Sequence, residues 1–199
     1  MTKPRDIRLV AIGASAGGVA ALGLVLQALP AHFAAPVAIV LHLPPDQPSR
    51  LAQLYAGRCA LPLKEMEDKE FMRPGTVYFA APDYHMLVEP DGSLSLSCEE
   101  PVNYSRPSID LMLETAAQAY GPELLAIVLT GASSDGARGL AAVRRAGGLA
   151  WVQDPQEAQA TAMPLAAIET AGADRIMPLA AMADALAALD TTIDTTTRS

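Results

Sequence analysis

Apolar residues recur along this chain in two rhythms. Ile7–Ile12, Pro36–Leu41 and Leu124–Leu129 are short, nearly unbroken apolar runs that read as buried strands, whereas Gly17–Leu29 carries its apolar residues at helical spacing. The first part of the chain thus predicts strand Ile7–Ile12, helix Gly17–Leu29, strand Pro36–Leu41 and helix Pro48–Arg58. Such alternation implies parallel strands joined by right-handed crossovers. The middle changes character. Gly75–Ala80, His85–Glu89 and Ser93–Ser97 are short strand-like runs separated by Pro82-Asp83 and by Pro90-Asp91-Gly92, so an antiparallel insertion is expected there. Helix resumes over Ser108–Tyr120, with Ser108 suited to the N-cap and Asp110 to the first turn. Strand Leu124–Leu129, turn Thr130–Asp135 and a helix from Gly136 to Arg145 follow. Strand Leu149–Val152, helix Pro164–Ala171, strand Arg175–Met177 and helix Leu179–Leu189 complete the pattern. The expectation is one α/β domain over residues 1–190, a doubly wound, mostly parallel, Rossmann-like sheet with an antiparallel hairpin insertion, ending in a polar tail at 191–199.

Composition narrows this further. A chain of 199 residues, 51% hydrophobic but only 5% aromatic, favours helices packed on a sheet through small residues over an all-β sandwich. No apolar stretch reaches the roughly 18–20 residues of a membrane span, and the start of the chain lacks the apolar core of a signal peptide. No membrane insertion and a cytoplasmic location are therefore expected. Cys59 and Cys98 are isolated and read as reduced thiols. His32, His42 and His85 show no ligand spacing, so no metal is expected. The net charge of −8 argues against a nucleic-acid surface, and Arg138, Arg144 and Arg145 read as a solvated helix face.

Candidate chemistry gathers at three strand ends. Ser15 lies in Gly13-Ala14-Ser15-Ala16-Gly17-Gly18, between a strand and the start of a helix, where unpaired N–H groups favour developing negative charge. His42 ends the next strand, before Pro44 and Pro45. If the two strands are neighbours, Ser15 and His42 stand about one strand spacing (~4.8 Å) apart. Asp135 follows strand Leu124–Leu129 in Thr130-Gly131-Ala132-Ser133-Ser134-Asp135-Gly136, at the same edge. A hydroxyl, an imidazole and a carboxylate so placed form a nucleophile, a base and a group that orients the base. Each residue also has a plainer reading: Ser15 as part of a phosphate-binding loop, His42 as a satisfied strand-end histidine, Asp135 as a helix N-cap. Gly13-x-Ser15-x-Gly17 also fits the nucleophile elbow of α/β-hydrolases, but there the acid precedes the histidine.

With those residues in place, the chain resembles the catalytic domain of the CheB-type chemotaxis receptor methylesterases over about Ile7–Leu189. The resemblance is carried by Ile12–Gly18, Val40–Pro44 and Leu129–Leu140, supported by Pro74–Tyr78, Ala81-Pro82-x-x-His85 and Arg106–Asp110. It implies Ser15 as nucleophile, His42 as general base and then acid, and Asp135 as the orienting carboxylate. It further implies hydrolysis of glutamate γ-methyl esters on cytoplasmic chemoreceptor helices to glutamate and methanol, with deamidation of receptor glutamines, and no cofactor. Backbone N–H groups of Ala16 and Ala132 are expected to hold the oxyanion. His85 and Arg106 are expected at the substrate rim. Relatives of this kind commonly carry an N-terminal receiver domain, whereas here the catalytic strand comes first, so such control is expected to be absent, lost, or supplied by a separate regulatory receiver protein. Ala16 stands where threonine is frequent, and Ala132-Ser133-Ser134 where Met and Gly are usual. The rival from another class is a silent module that binds receptor helices or a signalling partner.

Overall fold

The computed structural model of the protein describes residues 6–43 and 50–189. Pro44, Pro45, the first two residues of the expected helix Pro48–Arg58 and the tail 191–199 lie outside them. Strands β1 (Leu9–Ala14) and β2 (Val37–Leu41) flank helix α1 (Gly18–Ala28), and the short helix α2 (Leu51–Tyr55) leads to β3 (Leu63–Glu65). Next come β4 (Glu70–Phe71), β5 (Val77–Phe79), β6 (His85–Val88) and β7 (Ser93–Ser97). Helix α3 (Ile109–Tyr120), β8 (Leu124–Val128), α4 (Ala137–Arg145), β9 (Leu149–Gln153), α5 (Ala162–Ala171), β10 (Arg175–Met177) and α6 (Leu179–Ala187) follow.

Seven strands form one sheet in the order β10-β9-β8-β1-β2-β5-β3, every pairing parallel. Three more form a small antiparallel sheet, β4-β7-β6. The expected antiparallel insertion is present, with one correction. Val77–Phe79 does not belong to it but pairs in parallel with β2, on which Val77 meets Val37. The Pro82-Asp83 break carries the chain out of the large sheet and into the small one.

Period-two alternation in the strands divides the core. Val10, Ile12, Ile39 and Ile127 face one side, against α1 and α6. Leu9, Ala11, Ala38 and Ala126 face the other, against α3, α4, α5 and the small sheet. Alanines on the second face let α3 come close, and at Gly13 the approach is closest. A Cβ there would lie 2.3 Å from Ile109 Cγ2, so only glycine admits the first turn of α3. From β1 the chain winds outward through β2, then returns through α3 to β8 on β1's other side. Strand order reverses between β1 and β8, and the crevice at the carboxyl ends of such strands is where doubly wound sheets place their sites.

Candidate functional site at the carboxyl edge of the central strands

Three of the sequence-predicted residues meet at this crevice. Ala14 pairs with Leu41 in the β1–β2 register, and the His42 N–H donates to the Ala14 carbonyl at 3.0 Å. Ser15 and His42 are therefore the next residues along two hydrogen-bonded neighbours. The Ser15 N–H donates to the Thr130 carbonyl across the β8 side at 2.9 Å, which fixes the backbone of the turn from both flanks. Gly17 then takes a left-handed φ of 79° as N-cap of α1, with no side-chain cap on that helix. Ser15 is half-buried, and its hydroxyl has no hydrogen-bond partner among the described residues.

His42 Nε2 donates to Asp135 Oδ2 at 2.9 Å. The carboxylate thereby selects the tautomer with Nε2 protonated and leaves Nδ1 as the basic nitrogen. Asp135 itself is 0% exposed. Its remaining lone pairs are filled mainly by the start of α3. Ile109 N–H donates to Oδ2 at 2.7 Å, Asp110 N–H to Oδ1 at 3.0 Å, and the Ser108 hydroxyl to Oδ1 at 3.0 Å. Gly136 N–H adds a contact of 3.1 Å to Oδ1. Burial alone raises a carboxyl pKa, but the His42 hydrogen bond and the Ile109 and Asp110 N–H groups outweigh it and hold Asp135 below the ordinary value. An ionised carboxylate is the result.

Asp135 had an alternative reading as a helix cap. It does bind a helix N-terminus, but mainly that of α3, a distant segment, while Gly136 with φ 96° is the N-cap of its own helix. Asp110 supports the same turn from below. Its Oδ1 accepts from Gly136 N–H at 2.9 Å and from Gly139 N–H at 2.8 Å. Burial, first, and the neighbouring Asp135 charge push the Asp110 carboxyl upward, against those N–H groups and Arg138.

Ala16 and Ala132 are exposed, and neither backbone N–H has an intramolecular acceptor among the described residues. Thr130 Oγ1 donates to the Ala16 carbonyl at 2.9 Å, which ties the two turns together. Of the two rim candidates, His85 lies inside and Arg106 is partly exposed. His85 is 0% exposed, with Nδ1 accepting from Ser108 N–H at 3.1 Å and Nε2 donating to the Glu100 carbonyl at 3.2 Å. Both ring nitrogens are engaged, so His85 supports the N-cap of α3 from inside. Arg106 binds Asp83 through Nε and Nη2 at 3.0 and 2.7 Å and the Cys98 and Glu99 carbonyls through Nη1, so it ties the approach to α3 both to the turn before β6 and to the segment after β7. Ser108 was legible as an N-cap, as its acceptance from Leu111 N–H bears out, but its second bond to Asp135 had no local signal. Among the described residues no cluster of His, Cys, Asp and Glu could hold a metal ion. No helix among them is long and apolar enough to cross a membrane.

Comparison with known proteins places this geometry in a family. The profile of the family described as CheB methylesterase matches residues 10–186. A crystal structure of the Thermotoga maritima CheB methylesterase catalytic domain superposes with a TM-score of 0.86 at 32% identity, covering 92% of this chain and 98% of that one. A protein-glutamate methylesterase/protein-glutamine glutaminase of Bordetella parapertussis is 40% identical over 177 residues, 87% of this chain and 50% of its own. The protein-glutamate methylesterase FrzG of Myxococcus xanthus is 37% identical over 183 residues, 92% of this chain and 55% of its own. The chain thus spans about half the length of those two relatives. A Leptospira interrogans relative whose name states the same two activities is 42% identical over 181 residues, 91% of this chain and 94% of that one. Strand order, site position and sequence agree: the chain belongs to the CheB methylesterase family.

Proposed function

We propose that the chain is a serine esterase that hydrolyses glutamate γ-methyl esters on cytoplasmic helices of chemoreceptors, releasing methanol, and that it deamidates receptor glutamines by the same attack. Ser15 is the nucleophile. His42 Nδ1 takes the hydroxyl proton as Oγ adds to the side-chain carbonyl carbon, and Asp135 stabilises the imidazolium without itself accepting the proton. The N–H groups of Ala16 and Ala132 receive the oxyanion; a single such donor typically contributes about 10²–10³ in rate. Collapse of the tetrahedral intermediate expels methanol from an ester, or ammonia from an amide, protonated by His42. Water, deprotonated by the same imidazole, then attacks the acyl-enzyme to leave glutamate and free Ser15.

The observation that carries the reading is the ionised, buried Asp135 hydrogen-bonded to His42 at 2.9 Å, with Ser15 next to His42 across a strand pair. The names of the methylesterase/glutaminase relatives support the substrate class. They favour an active hydrolase over a silent binding module. One catalytic domain acting in the cytoplasm, where receptor helices carry the ester, belongs to the same reading. Its test is methanol release from methylated receptor, comparing the parent with Ser15→Ala. The variant is expected to lose at least about 10⁴-fold. Turnover within tenfold of the parent removes Ser15 as nucleophile.

A further inference from the structure

Beside the Ser15 turn, a groove of about 590 Å³ runs between α1 and α2, lined also by Gly17 of that turn and by Gln159, which packs against Gly17. Its walls are apolar side chains left in solvent: Val19, Leu24 and Leu54 are 43%, 55% and 48% exposed. Its width is fixed. The Tyr55 hydroxyl donates to the Val19 carbonyl at 2.7 Å, and the Tyr55 ring stacks on Phe79 in the large sheet with centroids 5.9 Å apart. Its depth comes from Gly23, in the middle of α1. A Cβ there would meet Tyr55 Cε1 at 3.6 Å and Arg58 Nη2 at 3.7 Å, ordinary contact distances. Neither packing nor a left-handed φ asks for glycine at this position. In a helix interior glycine costs about 1 kcal/mol relative to alanine. What its missing side chain leaves is space.

Arg58 also lines the groove, exposed and without a carboxylate partner among the described residues, on a chain of net charge −8. A guanidinium in an apolar groove selects a carboxylate. The walls of the groove are mostly side chains of α1 and α2, and no strand edge with a row of unpaired backbone groups lines it. A segment lying there must satisfy its own backbone, as a helix does, and present side chains from one face. We propose that this groove seats an amphipathic, acidic helix of the substrate protein, Leu24 and Leu54 receiving apolar side chains from one face and Arg58 a carboxylate of the same helix. The inference rests on the reading of Ser15 as the point of attack, since continuity with that turn makes the groove a substrate site. Demethylated glutamates on the same helix supply the carboxylate, so the product strengthens the contact that the ester lacks.

The test measures binding apart from turnover. In the Ser15→Ala background, affinity for a receptor cytoplasmic fragment is compared among the unaltered groove, Arg58→Glu, Leu24→Asp with Leu54→Asp, and Gly23→Leu. Each groove change is expected to weaken binding at least tenfold, and Arg58→Glu to abolish any preference for the demethylated fragment. With Ser15 restored, KM rises accordingly while kcat at saturation stays within threefold. Leu24 and Leu54 are surface residues, so melting temperatures of those variants report on folding where Gly23→Leu disturbs α1. Parent-like affinity in Arg58→Glu and in the leucine pair overturns the groove. A fall in kcat with KM unchanged also overturns it. Failure of the catalytic reading shows differently: Ser15→Ala would still release methanol, whatever the groove variants do to binding.

Discussion

The turns after β1 and after β8 solve one backbone problem and leave their side chains in opposite conditions. Each hands a buried strand to a helix through a left-handed glycine, Gly17 with φ 79° and Gly136 with φ 96°, and neither helix has a side-chain cap. Yet Ser15 is half-buried with an unengaged hydroxyl among the described residues, while Asp135 is enclosed and receives five donors. A nucleophile gains from a free rotamer until the carbonyl arrives. A carboxylate that acts by orienting an imidazole gains only if it does not move. The rigidity of Asp135 is supplied chiefly by α3, whose N-terminal amides and Ser108 converge on it.

The comparison breaks most visibly at Asp135. Asp135→Asn is expected to cut kcat for methanol release by about 10⁴-fold, by turning the imidazole to the wrong tautomer. It also places an amide N–H₂ against a set of donors, so melting temperature should fall, whereas Ser15→Ala leaves it unchanged. Equal stability of the two variants would show that the turns do not differ as described. Next in size is the pair of glycines. At Gly136 an added Cβ meets Ile109 Cγ2 at 2.8 Å, inside the packed contact with α3, while at Gly17 it meets exposed Gln159 at 2.8 Å. Gly136→Ala should cost about 1–3 kcal/mol in denaturant unfolding, and Gly17→Ala less, because the Gln159 Cβ it meets belongs to an exposed loop residue and not to the packed start of α3.

Acid gives a subtler separation. Asp135 is held below the ordinary carboxyl value, so its contribution to stability is complete above the unfolded-state value of about 3.9 and is lost as pH falls through its own, lower value. Asp110 is displaced upward and runs the other way, its cost to stability shrinking as pH falls. The difference in unfolding free energy between parent and Asp135→Asn should therefore narrow from pH 5 downward. A difference independent of pH would mean that Asp135 is not ionised. The smallest change is Ser108→Ala, which removes one donor to Asp135 and the cap of α3 together. About 1 kcal/mol of stability and roughly tenfold in kcat are expected, with Ser108→Thr restoring both.

The strand ends were readable because buried parallel strands are written as apolar runs: Leu124–Val128 and Val37–Leu41 needed no partner to be seen. The same runs put Ser15, His42 and Asp135 at one edge of the sheet from sequence alone. The two- and three-residue strands Glu70–Phe71 and Leu63–Glu65 were invisible, being half-exposed and too short for a period. Val77–Phe79 is legible as a strand, but its sheet is not, because pairing direction is decided by a distant partner, β2. His85 illustrates the same limit. A polar residue next to a turn looks like surface, and only the arrival of the Ser108 amide shows that its ring is satisfied inside. The use of Nε2 rather than Nδ1 for Asp135 likewise depends on where α3 sets the carboxylate.

The place of β8 in the sheet bears on how the enzyme comes into being during synthesis. Leu9, near the start of the chain, finds its neighbour in Leu124, well past the midpoint. Until that later segment leaves the ribosome, the nascent amino-terminal half carries the bare flank of β1, a sticky intermediate of the kind chaperones shield. On the proposed roles, the site is complete only once β8 has paired with β1 and brought Asp135 to His42.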